Sequence, residues 1–338
     1  MSVHIPTLNS ATKIKHYYGF KYLLNSSVHT QIYNKLQLQS SYKMDELKVL
    51  DLYPGPSQHS AIFQNIFNPK QYVLMDSRPD FVKFIQDNFA GTNMELYQRD
   101  PYEWSSYTDM IEKEKRFVPS RQSRDKIHNQ FLVMANLTGM IGEGLFMQWL
   151  SCIGNKNWLQ RFGRVKMLVW VPEATAHKVL ARPGSLIRAK CSVVTEAFTD
   201  TKLVATSDSG TLKKFSSSLL EEHDPIIFST KNTWLNSGKP ISLLEVNPIN
   251  HDIDLDNWDY VTKHLLILKS TPLHTAIDSL GHGGKQYFSE KVEDKLLMDK
   301  CPKDLTNKEF VYLTSIFNNW PFKPDIYMDF IDVFQENE

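Results

Sequence analysis

Between residues 47 and 246, short apolar runs alternate with stretches of helical spacing, and this alternation most constrains the fold. The runs are Leu47–Tyr53, Gln71–Asp76, Met94–Arg99, Phe131–Leu137, Val165–Val171, Lys202–Thr206 and Ile241–Val246. Between them apolar residues return at the helical period, as at Phe81, Phe84 and Ile85. Strand, helix, strand at this spacing predicts a parallel α/β sheet of seven strands covered on both faces. Strands buried on both sides read as continuous apolar runs rather than as alternation.

The pattern changes near Asp256. Val261–Leu268, Leu273–Leu280 and Asn307–Phe317 read as amphipathic helices, and Thr306 with Glu309 three residues on reads as a capping box. The expected organisation is an α/β domain over 1–256, a small helical domain over 257–319 and an acidic, aromatic tail over 320–338. A chain of 338 residues with 41% hydrophobic residues is long enough for two such domains. Its three cysteines are far apart, which argues against a disulfide framework or zinc ribbon and fits a reducing compartment. No apolar run approaches the ~18–20 residues of a membrane span. The N-terminus lacks a secretory h-region, while the absence of Asp or Glu before Asp45 is compatible with organelle import.

Net charge is zero, with 38 Lys+Arg against 38 Asp+Glu, but the charges are unevenly spread. The segment 156–190 holds Lys156, Arg161, Arg164, Lys166, Lys178, Arg182, Arg188 and Lys190 against the single acid Glu173, with Trp158, Phe162 and Trp170 interleaved. Cations beside aromatic faces suit a nucleic-acid strand, although a charge run is as readily a solvated face. Asp252, Asp254 and Asp256 open like a calcium loop. Asn257 and Lys263 stand where that loop needs glycine and glutamate.

In open α/β sheets ligands bind beyond the carboxyl ends of the strands. Acids fall at three such ends: Asp51, Asp76 and Asp100. An acid after the second strand can hold a ribose, and one after the third can meet an adenine amino group. Each acid alone caps a turn as readily; three in register point to an adenosine-containing ligand.

These residues carry a resemblance to the ribosomal RNA adenine dimethyltransferases that use S-adenosylmethionine. Gly19–Leu23 is similar to their glycine-aromatic-leucine motif, Val49–Gly55 to the first strand and glycine loop, and Ala135–Leu137 to the start of Asn-Leu-Pro-Tyr. Ala181–Ser185 with Cys191–Val193, and the segments 260–280 and 305–313, also resemble the family. The resemblance implies an S-adenosylmethionine-dependent methyltransferase-like (Rossmann-like) domain. Leu23, Asp76, Asp100 and Asn136 would then be its cofactor-binding positions.

The departures bear on function. Tyr53, Gly55 and Ser57 occupy the three glycine places, and Thr138-Gly139 replaces Pro-Tyr. Side chains in the glycine loop obstruct the cofactor. Gly139 cannot stack on a flipped adenine. One branch of the family shows this combination, the fungal initiation factors of the single-subunit mitochondrial RNA polymerase. His16–Phe20, Leu50–Gly55, Met147–Asn155, Trp258–Val261 and Ser279–Gly284 look very close to that branch. It implies a lapsed methyltransferase in the mitochondrial matrix, with no required cofactor and at most residual S-adenosylmethionine binding. Its partners would be the polymerase and promoter DNA, mainly melted, and no membrane. The DNA-binding residues expected are Tyr102 and Trp104 on the loop after the third strand, together with Trp158, Arg161, Arg164, His177, Lys178, Arg182, Arg188 and Lys190. The alternative is an active ribosomal RNA adenine N6,N6-dimethyltransferase.

Overall fold

Eight strands form one mixed sheet in the order β3-β2-β1-β4-β5-β8-β6-β7. They are β1 (Lys48–Leu52), β2 (Gln71–Met75), β3 (Met94–Tyr97), β4 (Ile127–Asn136), β5 (Arg164–Pro172), β6 (Thr199–Asp208), β7 (Ile226–Ser229) and β8 (Ile241–Pro248). The computed structural model describes residues 2–232 and 239–326. Each of the seven apolar runs lies on a strand. Two expectations are corrected. β7 adds an eighth strand, the four-residue piece Ile226–Ser229 at the sheet edge, whose apolar stretch is only three residues long and whose Ile227 is 51% exposed. β8 runs antiparallel between β5 and β6, so the sheet is not all parallel. A strand enclosed by two neighbours and buried on both faces reads as apolar whichever way it runs.

β1 lies parallel between β2 and β4, with Lys48–Leu52 opposite Gln71–Met75 on one side and Phe131–Ala135 on the other. Strand order reverses there, and the carboxyl ends of β1 and β4 bound the crevice where such sheets bind ligands. The helix Pro79–Phe89 follows β2. Proline at its first position needs no donor there, and Phe81, Val82, Phe84, Ile85 and Phe89 form its buried face. The helix Gly142–Asn155 follows β4. A Cβ on Gly142 would lie 1.8 Å from the Leu137 carbonyl oxygen, so only glycine lets the chain pass this close to the strand end.

The chain forms two compact units, one of residues 1–177 and 198–250, the other of 178–197 with the chain from His251 onward. The division differs from a single cut at 256, because the segment 178–197 joins the helical unit. Arg188 shows why. Its side chain is fully buried, and the guanidinium donates to the Ala181 and Leu305 carbonyls and pairs with Glu196 at 2.5 Å. In this unit the helices Leu255–Ile267 and Asn307–Asn318 bury Trp258, Val261, Leu265, Phe310, Leu313 and Phe317. The Thr306–Glu309 capping box is present with both of its hydrogen bonds. Trp320 is a core residue rather than part of a tail: it is 3% exposed and its ring stacks on Tyr287. Tyr327, Phe330 and Phe334 of the expected arm lie outside the described residues. Among the described residues no helix is long and apolar enough to cross a membrane, and no His, Cys, Asp or Glu cluster could hold a metal ion.

Candidate nucleic-acid interface

The loop after β1 keeps the backbone of a glycine loop while carrying side chains. Tyr53, Gly55 and Ser57 have φ of +56°, +56° and +55°, left-handed conformations that L side chains rarely adopt. The strain is tolerated because the Tyr53 side chain is fixed. Its ring is 3% exposed and lies 5.1 Å from the Phe20 ring, and its hydroxyl donates to Asp100 Oδ1 at 2.5 Å. The Tyr22 ring fills the space over Gly55, where a Cβ would sit 2.2 Å from it.

Asp76 lies at the end of β2, fully buried, and both its carboxylate oxygens are taken by Arg78. Nε donates to Oδ1 at 2.7 Å, the backbone N–H to Oδ1 at 3.0 Å, and Nη2 pairs with Oδ2. The guanidinium sits among aromatic rings, 4.1 Å from the Phe20 centroid, 4.4 Å from Phe81 and 5.0 Å from Tyr53. Asp100 likewise accepts from Tyr53 and from the Tyr102 N–H. The acceptors expected to hold a ribose and an adenine amine therefore already have protein donors, and an aromatic ring stands at the first glycine place. The residues present do not fit S-adenosylmethionine. Leu23 is a buried core residue.

The Asn136 motif has also turned inward. The Asn136 amide donates to the Lys21 carbonyl at 2.7 Å. The Thr138 hydroxyl accepts from the Lys21 N–H at 2.8 Å and donates to Asn136 Oδ1 at 2.7 Å. The N-terminal segment is thus pinned to the end of β4. A Cβ on Gly139 would lie 2.8 Å from the Phe20 ring, so a larger residue at this place would have to displace that ring.

Beside this filled site lies an open cleft of about 1050 Å³ within the first unit. Its lining includes Lys15, Tyr17, Tyr18, Lys21, Gly139, Met140, Glu143, His177, Lys214 and Lys239. Four lysines thus face one acid, and the Glu143 carboxylate accepts from the Thr175 hydroxyl at 2.7 Å. Met140 is 97% exposed. His16 and Tyr18 anchor the rim through Asp80, at 2.9 and 3.0 Å. Burial, opposed by Glu173, pushes the His177 imidazole below its ordinary pKa, and the Lys214 charge adds to the shift. His177 is therefore neutral at pH 7.

Of the residues expected to bind DNA, only His177 lines this cleft. Tyr102 is 45% exposed on the loop after β3, and Trp104 packs edge-on against Trp158 and at a tilt against Tyr107. Trp158 is withdrawn from the set: it is 5% exposed, stacked 4.8 Å from Trp149, and no base can reach its face. Arg188 is withdrawn for its burial. Lys190 is bound to Asp259 at 2.8 Å and lies 5.2 Å over Trp258, and Arg161 pairs with Glu112 at 2.6 Å. Arg164 donates to the Pro248 and Asp125 carbonyls. Lys178 and Arg182 are exposed residues of the second unit. The basic segment is not one surface. Trp158, Arg161 and Arg164 precede or begin β5 and His177 follows its end, and the strand between them spans roughly 26 Å at ~3.3 Å per residue. Sequence reasoning missed Lys21, Lys214 and Lys239, which come from three separate segments with no local signal.

The chain belongs to the ribosomal RNA adenine dimethylase family, whose model matches residues 11–315. It is 97% identical over 338 residues to mitochondrial transcription factor 1 of Lachancea kluyveri, covering the whole of both chains. It is 57% identical over 336 residues to the protein of the same name from Saccharomyces cerevisiae, covering 99% of this chain and 98% of that one. Among solved structures, a dimethyladenosine transferase from Plasmodium falciparum shares the fold, with a TM-score of 0.57 and 13% identity over 88% of this chain and 97% of that one.

Proposed function

We propose that this chain is a mitochondrial transcription initiation factor. In this reading it works in the matrix with the single-subunit mitochondrial RNA polymerase, helps melt the promoter and holds the displaced strand, and transfers no methyl group. The observation that carries the reading is the contrast between two adjacent places. Where a methyltransferase keeps its cofactor, Tyr53 and Arg78 fill the space and occupy Asp100 and Asp76. Beside it, a cleft with four lysines on its wall stays open. A surface that binds a melted strand needs cations for phosphates and flat or apolar side chains for bases, and the cleft offers both. Full-length identity of 97% to a mitochondrial transcription factor supports the same role. Zero net charge fits weak, salt-sensitive DNA binding in the absence of the polymerase.

The test is transcription by the cognate polymerase with and without this protein, on an intact duplex promoter and on the same promoter pre-melted at its start. The expected outcome is that only the duplex template requires the protein. Stimulation on neither template would sink the reading. Tyr102 and Trp104, just after β3, are proposed to stack on the opened strand. A Tyr102→Ala, Trp104→Ala double variant is then expected to lose duplex-template activity and keep pre-melted activity. Family membership alone favours the second reading, adenine dimethyl transfer to ribosomal RNA. The Asp76–Arg78 pair weighs against it, and labelled methyl transfer from S-adenosylmethionine to small-subunit ribosomal RNA would reinstate it.

A further inference from the structure

Lys21 is a fixed lysine on the cleft wall. Its backbone N–H donates to the Thr138 hydroxyl at 2.8 Å and its carbonyl accepts from the Asn136 amide at 2.7 Å, so the side chain leaves from an anchored point. The residue is 7% exposed: its stem is buried, while Nζ is not enclosed and opens to the cleft. The ammonium makes no hydrogen bond or ion pair among the described residues. The charge that acts on it is a second cation. Burial first, and then the Lys239 ammonium, lower the Lys21 pKa, and both favour the neutral amine. Lys15, Lys214 and Lys239 are exposed on the same wall, and the carboxylate of the acid there, Glu143, accepts from the Thr175 hydroxyl. An amine partly desolvated beside another cation is the arrangement that activates lysine as a nucleophile. Exposed cations around it favour the approach of a polyanionic reagent.

We propose that Lys21 is an acylation site, whose amine takes the acyl group of a thioester of the coenzyme A type drawn into the cleft by Lys15, Lys214 and Lys239. The Nζ lone pair attacks the thioester carbonyl carbon, the N–C bond forms and the C–S bond breaks. The thiolate leaves with the electron pair and takes up the proton that the nitrogen gives up, so no oxidant or reductant is needed. Coenzyme A carries phosphates that lysines hold as point charges, and an adenine that Tyr17 or Tyr18 on the same wall can stack on. The product amide is uncharged. It ends the repulsion between Lys21 and Lys239, and the cleft keeps only the other lysine charges. This chemistry stands apart from the role of the cleft in transcription and is read without it.

The test is mass-spectrometric quantification of acetyl groups on each lysine after the native full chain is incubated with acetyl-coenzyme A at a series of pH values. Lys83 and Lys285, both exposed, are the internal references. Each unit by which a lysine pKa falls raises its neutral fraction about tenfold, offset in part by weaker nucleophilicity. Lys21 is therefore expected to acylate at least ~3-fold faster than the references near neutral pH, and its rate to level off at a lower pH than theirs. Lys239→Gln alters an exposed side chain, should fold normally, and is expected to remove much of that lead. The acetyl thioester of N-acetylcysteamine, an uncharged thiol, is expected to give Lys21 a smaller lead than acetyl-coenzyme A does. A Lys21 rate no higher than that of the references, or labelling of Lys21 only after unfolding in urea, would overturn the site. An equal lead with the uncharged thioester would overturn the coenzyme A assignment. A lead left unchanged by Lys239→Gln would overturn the part given to the neighbouring ammonium.

Discussion

Arg78 shows how one side chain can convert a ligand pocket into core. It is 8% exposed, its charge is matched by the buried Asp76, and aromatic rings flank its guanidinium. Removing it would leave the Asp76 carboxylate buried and unpaired. Arg78→Ala is therefore expected to cost about 3–5 kcal/mol, read as a lowered urea midpoint. Arg78→Lys keeps the charge but loses the bidentate fork, and should fall between. His29 sets a second residue-scale expectation. Burial, with a smaller contribution from the charge of His59, lowers its pKa from 6.5 to about 3, and Nε2 lies 2.8 Å from the Leu23 carbonyl. The folded state therefore keeps His29 neutral while the unfolded state protonates it. Its contribution is fully present above pH ~6.5 and is lost as pH falls toward about 3. Urea midpoints at pH 7, 5.5 and 4.5 should fall steadily, and His29→Gln should flatten part of that slope. His128 and His177, also lowered by burial, should retain the rest. An unchanged slope in His29→Gln would assign the effect elsewhere.

At the scale of elements, the turn from β4 into the helix Gly142–Asn155 gives a matched pair of tests. Gly142→Ala places a methyl 1.8 Å from a carbonyl oxygen, and the strand end or the helix start must move. A loss of at least about 2 kcal/mol is expected in chemical denaturation. Gly144→Ala, two residues on, meets nothing within 4 Å and replaces a flexible residue in a helix. It should be neutral or stabilise by up to ~1 kcal/mol. Equal effects would show that backbone entropy, not the close approach to Leu137, governs this turn. The elements themselves were largely legible in the sequence. Buried parallel strands print apolar runs, and the Thr306–Glu309 box marks a helix start by chemistry local to four residues. The direction of β8 was not legible, because pairing direction is set by tertiary neighbours, and neither was the edge strand β7, because its apolar stretch, Ile226–Phe228, is only three residues long.

At the scale of the whole molecule, sequence proximity misled where a long strand intervenes. The cations between 156 and 190 look like one cluster, but β5 separates its two ends and the second compact unit takes 178–197. Lys21, Lys214 and Lys239 are far apart in sequence and share one cleft because β4, β6 and β8 belong to one sheet. The departures from the glycine loop were legible, since a motif that loses its glycines does so visibly. What filled the space was not: Arg78 is an ordinary surface-type residue until the fold turns it onto Asp76. An open pocket would tie the molecule's resistance to unfolding to a metabolite, by RT ln(1 + [L]/Kd). Here Tyr53 and Arg78 are built-in occupants at fixed stoichiometry, so S-adenosylmethionine at millimolar concentration should leave Tm unshifted in a thermal-shift measurement, and a rise of several degrees would contradict the filled site. A protein that carries its own occupant in covalent form keeps the same resistance to unfolding whatever the supply of S-adenosylmethionine around it.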